Sequence, residues 1–164
     1  MQIYTDPIVK KYLDMFGSKN KSIKGMYQGE PFNIGASEMP AIFITKRGTD
    51  VAALTNASDE YEIQMRVTVV VDIRSEMNEH KHIVAGVAKL TDIIEGRQEN
   101  TFKLKDESLL NILRANITVD SANNLRTNLG TVTRVDYSDI LNQRDKNWFI
   151  ESHIDFVASY SQTR

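Results

Sequence analysis

Few residues in this chain stand at spacings that suggest chemistry. The clearest is Glu151, His153 and Asp155, which share one phase of an alternating segment: an imidazole between two carboxylates is the equipment of an acid–base or ion site. Regular i, i+2 alternation on a solvated sheet face produces the same row without chemistry. His80 and His82, with Glu79 beside them, offer metal-ligand atoms, but side chains two apart diverge on a helix and the spacing fits no tetrahedral template. Arg134, Asp136 and Asp139 read as strand charges that pair across a sheet. Lys46–Gly48 (KRG) is too short for a phosphate cradle, and the chain has no P-loop, dinucleotide-binding glycine pattern or serine elbow. The expectation is a protein that is not an enzyme, with no catalytic, metal or cofactor residue; an enzyme built on the His153 face is the alternative.

Composition narrows the classes further. The chain has 164 residues, 41% of them hydrophobic and 26% charged, which suits one globular domain spanning 1–164. Twenty Lys and Arg against 22 Asp and Glu leave a net charge of −2, too weak a field to condense the chain on nucleic acid. Lys10, Lys11, Lys19, Lys21 and Lys24 are scattered among polar residues rather than set along one basic helix. With no cysteine, thiolate catalysis, disulfides and zinc–cysteine sites are excluded together. The amino terminus lacks the apolar run of a signal peptide and no segment approaches the ~20 apolar residues of a membrane span, so synthesis in the cytoplasm without membrane insertion is expected.

These residues must be held by a small set of elements. Asp6 as cap, Pro7 at the first helical position and Ile8, Val9, Tyr12, Leu13 and Phe16 at three-and-four spacing predict a helix stopped by Gly17. Ser18–Met39 reads as a long loop or arm with one helical turn, the kind of segment that binds or assembles; Met26, Tyr27 and Phe32 are its apolar anchors. Ala41–Lys46 predicts a short strand and the residues up to Glu60 a polar connection. From Tyr61 to Ile73 the odd positions are apolar and most even ones polar, a long half-buried strand. Val70 interrupts the polar side, so that second face should be partly covered; Arg66, Val70 and Asp72 on it are candidate subunit-interface residues. Asn78–Glu95 predicts the main helix, ended by Gly96, and Glu107–Ala115 a shorter one. Leu129–Tyr137 and Trp148–Tyr160 predict closing strands joined by a loop of about ten residues. The sum is an α+β fold, a mostly antiparallel sheet packed against helices on one side.

The order and texture from Asp6 to Tyr160 resemble the tail terminator proteins of long-tailed bacteriophages. The resemblance is carried by PAIFITKRG at the early strand, by YEIQMRVTVVVDIR followed by HIVAGVAKLTDIIEG as a central strand–helix unit, and by LGTVTRVDYSDILNQRDKNWFIESHIDFVASY as the closing strands. It implies a small α/β sandwich that assembles as a homohexameric ring, a structural virion protein of the tail neck. Such a ring closes the head-proximal end of the tail tube and joins it to the head connector or stopper protein, and double-stranded DNA passes through its bore without sequence recognition. The arm at 18–39 would then reach a neighbouring subunit, the connector or a contractile sheath. A different neck component, such as a head-closure protein, is the nearest alternative within this class.

Overall fold

The structure, a computed structural model, describes residues 6–74, 84–128, 134–137, 142–144 and 147–164. The first helix, α1 (Pro7–Lys19), starts as the sequence predicts: the Asp6 carboxylate accepts from the Ile8 and Val9 amides at 2.9 and 3.3 Å. It does not stop at Gly17. There the helix passes so close to Met26 that a Cβ would lie 2.7 Å from its Sδ and Cε, so this glycine admits a neighbour rather than ending the element. Asn20 is the true end: its Nδ2 donates to the Glu107 carbonyl at 2.8 Å while its Oδ1 accepts from Ser22.

The segment expected to be an arm folds back on its own chain. It contains β1 (Gly25–Gln28), which pairs in parallel with the start of β2 (Ala41–Thr55), and a single 3₁₀ turn at Ala36–Glu38. Gly29, at φ +73°, turns the chain out of β1. Strand β2 is much longer than its apolar run. The residues after Lys46, expected as a polar connection, form the second half of a hairpin with β3 (Ser58–Asp72), paired from Ala41↔Val70 to Thr55↔Ser58 with register shifts between Lys46 and Gly48 and between Ala53 and Thr55. Their polarity reflects exposure on both faces, which hides a strand from periodicity.

Strand β3 pairs along its whole length with the last strand, β8 (Asn147–Thr163, 17 residues). On its other side β8 pairs in turn with β7 (Asn142–Arg144), β6 (Arg134–Tyr137) and β5 (Leu125–Thr127), and β5 pairs with β4 (Thr118–Asp120). The sheet is antiparallel except at β1–β2. The β4–β5 hairpin was not expected from sequence; it turns at Asn124, whose φ of 52° asparagine tolerates.

Helices α2 (Val84–Glu95) and α3 (Leu109–Ala115) complete the helical layer, with Ser108 capping α3. The residues 78–83 expected at the start of α2 lie outside the described residues, and so does part of the closing loop. One core joins Val9, Tyr12, Leu13 and Phe16 of α1, Leu90, Ile93 and Ile94 of α2, and Leu109, Ile112 and Leu113 of α3 to Ile63–Val71 in the odd phase of β3 and to Ile150, Ile154 and Phe156 of β8. The three described helices therefore cover the same sheet face, giving the α+β fold the sequence predicts. Gly86 sets how closely α2 packs, since a Cβ there would sit 2.3 Å from Ile73 Cγ2.

Candidate functional site

The sheet face opposite the helices carries Arg66, Arg134, Asp136, Glu151, His153 and Asp155. Register alone fixes its composition: Thr68 stands between Phe43 and His153, with Asp136 beyond, and Arg66 stands between Thr45 and Asp155, with Arg134 beyond. Side chains at these positions share one face because the pleat repeats every two residues.

The strongest interaction on this face is between Arg66 and Asp155. The guanidinium donates through Nε at 2.7 Å and through Nη2 at 2.8 Å to the two carboxylate oxygens, the two-pronged geometry that favours arginine over lysine. The pair is partly buried, with side-chain exposures of 28% and 34%. Hydrogen bonding from Arg66 holds the Asp155 carboxyl below the usual carboxylate range despite the opposing effect of burial, and the charges of Arg66, His153 and Arg47 act in the same direction. Arg134 pairs within its own strand with Asp136 at 2.9 Å, rather than across the sheet as expected; Asp139 lies outside the described residues.

His153 sits in a polar row. Its Nδ1 is 2.9 Å from Thr68 Oγ1, and its Nε2 is 3.7 Å from Glu151 Oε1. A hydroxyl, an imidazole and a carboxylate in line are the groups of a nucleophile–base–orienter set, but Thr68 is 2% exposed and lies under its neighbours in the sheet. The notch that touches Glu151 holds only about 20 Å³, room for about one water. The shallow cleft along Arg47, Gln64, Arg66 and Asp155 bypasses the imidazole.

Val70 has a different role from the one its pattern suggests. It is buried with Met39, Phe43 and Phe149, and Tyr27 and Ile34 pack against the same group. The cover inferred from the break in the polar face is thus supplied by the chain's own 27–39 segment. Tyr27 is fixed there by donating to Glu38 Oε1 at 2.7 Å, while Glu38 Oε2 accepts from the Gly35 amide at 2.8 Å. Burial, then the hydrogen bond and charge of Glu38, push the Tyr27 phenol up to about 12. Met26 points to the other face, against Gly17 of α1, and remains 43% exposed. Phe32 is 95% exposed, a large apolar side chain held out by a segment that is otherwise folded down. Asp72 is occupied by Arg74, whose Nη2 reaches Oδ2 at 3.0 Å.

The remaining sequence candidates separate. Lys11 pairs with Asp120 at 3.0 Å, whereas Lys21 donates to the Gly17 carbonyl at 3.1 Å and lines a different depression together with Lys19. Lys46 reaches Asp6 at 2.9 Å. Glu79, His80 and His82 lie outside the described residues. Among the described residues no cluster of three or more His, Asp or Glu is placed to hold a metal ion, and no helix is long and apolar enough to cross a membrane.

Sequence reading missed the projecting half of the hairpin. From Lys46 to Ala57 the chain is exposed, and Val51 and Leu54 present apolar side chains that are 57% and 52% exposed. A valine–alanine–alanine–leucine run inside a segment otherwise rich in polar residues was the available signal.

No protein-family model matches the chain, and no curated protein matches it. Among solved structures, one chain of 12% identity aligns over 94% of this protein and 89% of its own length, with a TM-score of 0.34.

Proposed function

We propose that this protein is a structural component of a phage tail neck, a terminator that forms a homohexameric ring on the head-proximal end of the tail tube and meets the head connector or stopper on its other side. The observation that supports this reading is the open sheet face. Arg66 and Arg134 are each paired with a carboxylate, the apolar patch is filled by the chain's own segment, and the depressions are shallow, which suits contact with another protein surface better than capture of a small substrate. Of the segments that carry the resemblance, PAIFITKRG opens β2, YEIQMRVTVVVDIR covers most of β3 and the closing stretch contains β6, β7 and most of β8.

A ring around DNA needs a bore that does not grip phosphate, because each neutralised phosphate adds salt-dependent affinity and would slow a sliding duplex. A net charge of −2 with most described basic side chains near the open face already paired is consistent with that requirement. Electron microscopy of purified protein mixed with assembled tail tubes tests the reading: six-fold rings at one tube end support the terminator, and binding to the portal side of emptied heads with none to tubes would favour a head-closure role. An enzyme on the His153 face would instead show activity lost on His153→Ala while ring formation stayed intact.

A further inference from the structure

Parallel strands cannot be joined by a tight turn, and β1 reaches β2 through residues 29–40, which cross the open sheet face from the end of one strand to the start of the other. Both ends of this crossover are tied down. Where the chain leaves β1, Gly29 adopts a φ of +73° and its amide donates to the Ile44 carbonyl at 2.8 Å; where it enters β2, the Pro40 carbonyl accepts from the Lys24 amide at 2.8 Å. Between these ties residues 30–38 join no strand, and none of them is buried.

The crossover nevertheless covers the apolar part of that face. Ile34, beside Tyr27 of β1, packs on Met39, Phe43, Val70 and Phe149. A notch of about 20 Å³ remains between Asn33 and Ile34 on the outside and Phe43, Val70 and Phe149 beneath. Phe32, 95% exposed, adds no burial to the closed arrangement. Glu38 fastens the loop at its base: one carboxylate oxygen accepts from the Tyr27 hydroxyl at 2.7 Å and the other from the Gly35 amide at 2.8 Å. The sheet underneath is paired through β2, β3 and β8 without the crossover. A segment with exposed hydrogen bonds and no buried residue opens at a lower free energy than the sheet on which it lies.

We propose that residues 30–38 are a strap latched by Glu38, which lifts off the sheet while β1 and β2 stay paired and so bares Phe43, Val70 and Phe149 in the otherwise folded protein. The ties at Gly29 and Pro40 act as its two hinges. Closed, the strap keeps the apolar part of the open face dry; open, it adds that part to a face that already carries the Arg66–Asp155 pair. The device stands on this chain alone and does not depend on the ring.

Because the chain has no cysteine, the labelling rate of a single introduced thiol reports how often one position is exposed. Val70→Cys lies under the strap, and Val67→Cys, on the opposite face of β3, lies in the main core. Both are labelled with a chromogenic disulfide reagent in increasing urea below the unfolding transition, and Phe43→Cys repeats the measurement from β2. Val70→Cys should label faster than Val67→Cys and with a weaker dependence on urea, since opening the strap exposes little surface. Adding Glu38→Ala, which removes both latch bonds, should speed Val70→Cys labelling by about tenfold, and Tyr27→Phe, which removes one, by less. Gly86→Ala, at the helix side of the sheet, weakens the strap-open and strap-closed states alike; it should speed Val67→Cys labelling and leave Val70→Cys labelling unchanged. Equal rates and urea slopes at Val70 and Val67, no response of Val70→Cys to Glu38→Ala, or an equal response of both positions to Gly86→Ala would each overturn the strap.

Discussion

Asparagine at position 155 keeps the size of the side chain and removes the charge that Arg66 holds. The wild-type pair makes two charge-assisted hydrogen bonds at 2.7 and 2.8 Å with about a third of each side chain exposed. An exposed ion pair contributes about 0–1 kcal/mol, and breaking a fully buried one costs about 3–5 kcal/mol. This pair lies between, and solvent screening places it near the lower limit, so Asp155→Asn should destabilise the protein by about 1.5 kcal/mol at neutral pH. With a urea slope of about 2 kcal/mol/M for a protein of this size, the midpoint falls by about 0.7 M. Trp148, the only tryptophan, packs against the main core and reports the transition by fluorescence. The sign of the pH dependence follows from Asp155 being held below its ordinary range. The pair's contribution is complete above the unfolded carboxyl's value of about 3.9 and is lost as pH falls through the lower folded value. The difference between wild type and variant should thus stay constant from about pH 5 to 8 and close below about pH 4. A midpoint shift near zero at pH 7, or a difference that persists unchanged at pH 2, would refute the argument that this pair anchors the open face.

Two further perturbations test the packing that supports that face. Gly86→Ala places a methyl group against Ile73 and Ile150 where α2 meets the sheet. It should lower stability by about 1–3 kcal/mol in thermal unfolding, although alanine is the better helix former. Tyr12→Phe removes the hydroxyl that lies 3.0 Å from Thr127 Oγ1 and leaves the buried Thr127 hydroxyl without that partner. The expected loss in urea unfolding is about 1–2 kcal/mol, and adding Thr127→Val should restore part of it because both polar partners are then gone.

Elements with one wet and one dry face were legible in the sequence. Strand β3, the stripe of α1 and the alternation of β8 all read correctly because burial imposed the helical or strand period on residue type. Three features were not legible, each for a physical reason. The distal half of β2 is exposed on both faces, so no alternation marks it. Strand β1 and the β4–β5 hairpin are too short to show a period and are held by pairing with distant strands. Gly17 looked like a helix stop because glycine is common there, whereas its cause is the approach of Met26. At the candidate site, the row of Glu151, His153 and Asp155 was placed on the correct face. What sequence could not supply was the partner of each: Thr68 for His153, Arg66 for Asp155, and the chain's own 27–39 segment for Val70.

The central claim, that this protein closes the end of a tail tube, is tested most directly by imaging purified protein bound to assembled tubes, with solution mass measured alongside. The account predicts a ring of six copies at one end of each tube and none along its wall. A stable monomer that leaves both tube ends bare, with no ring in the neck of the mature particle, would contradict it.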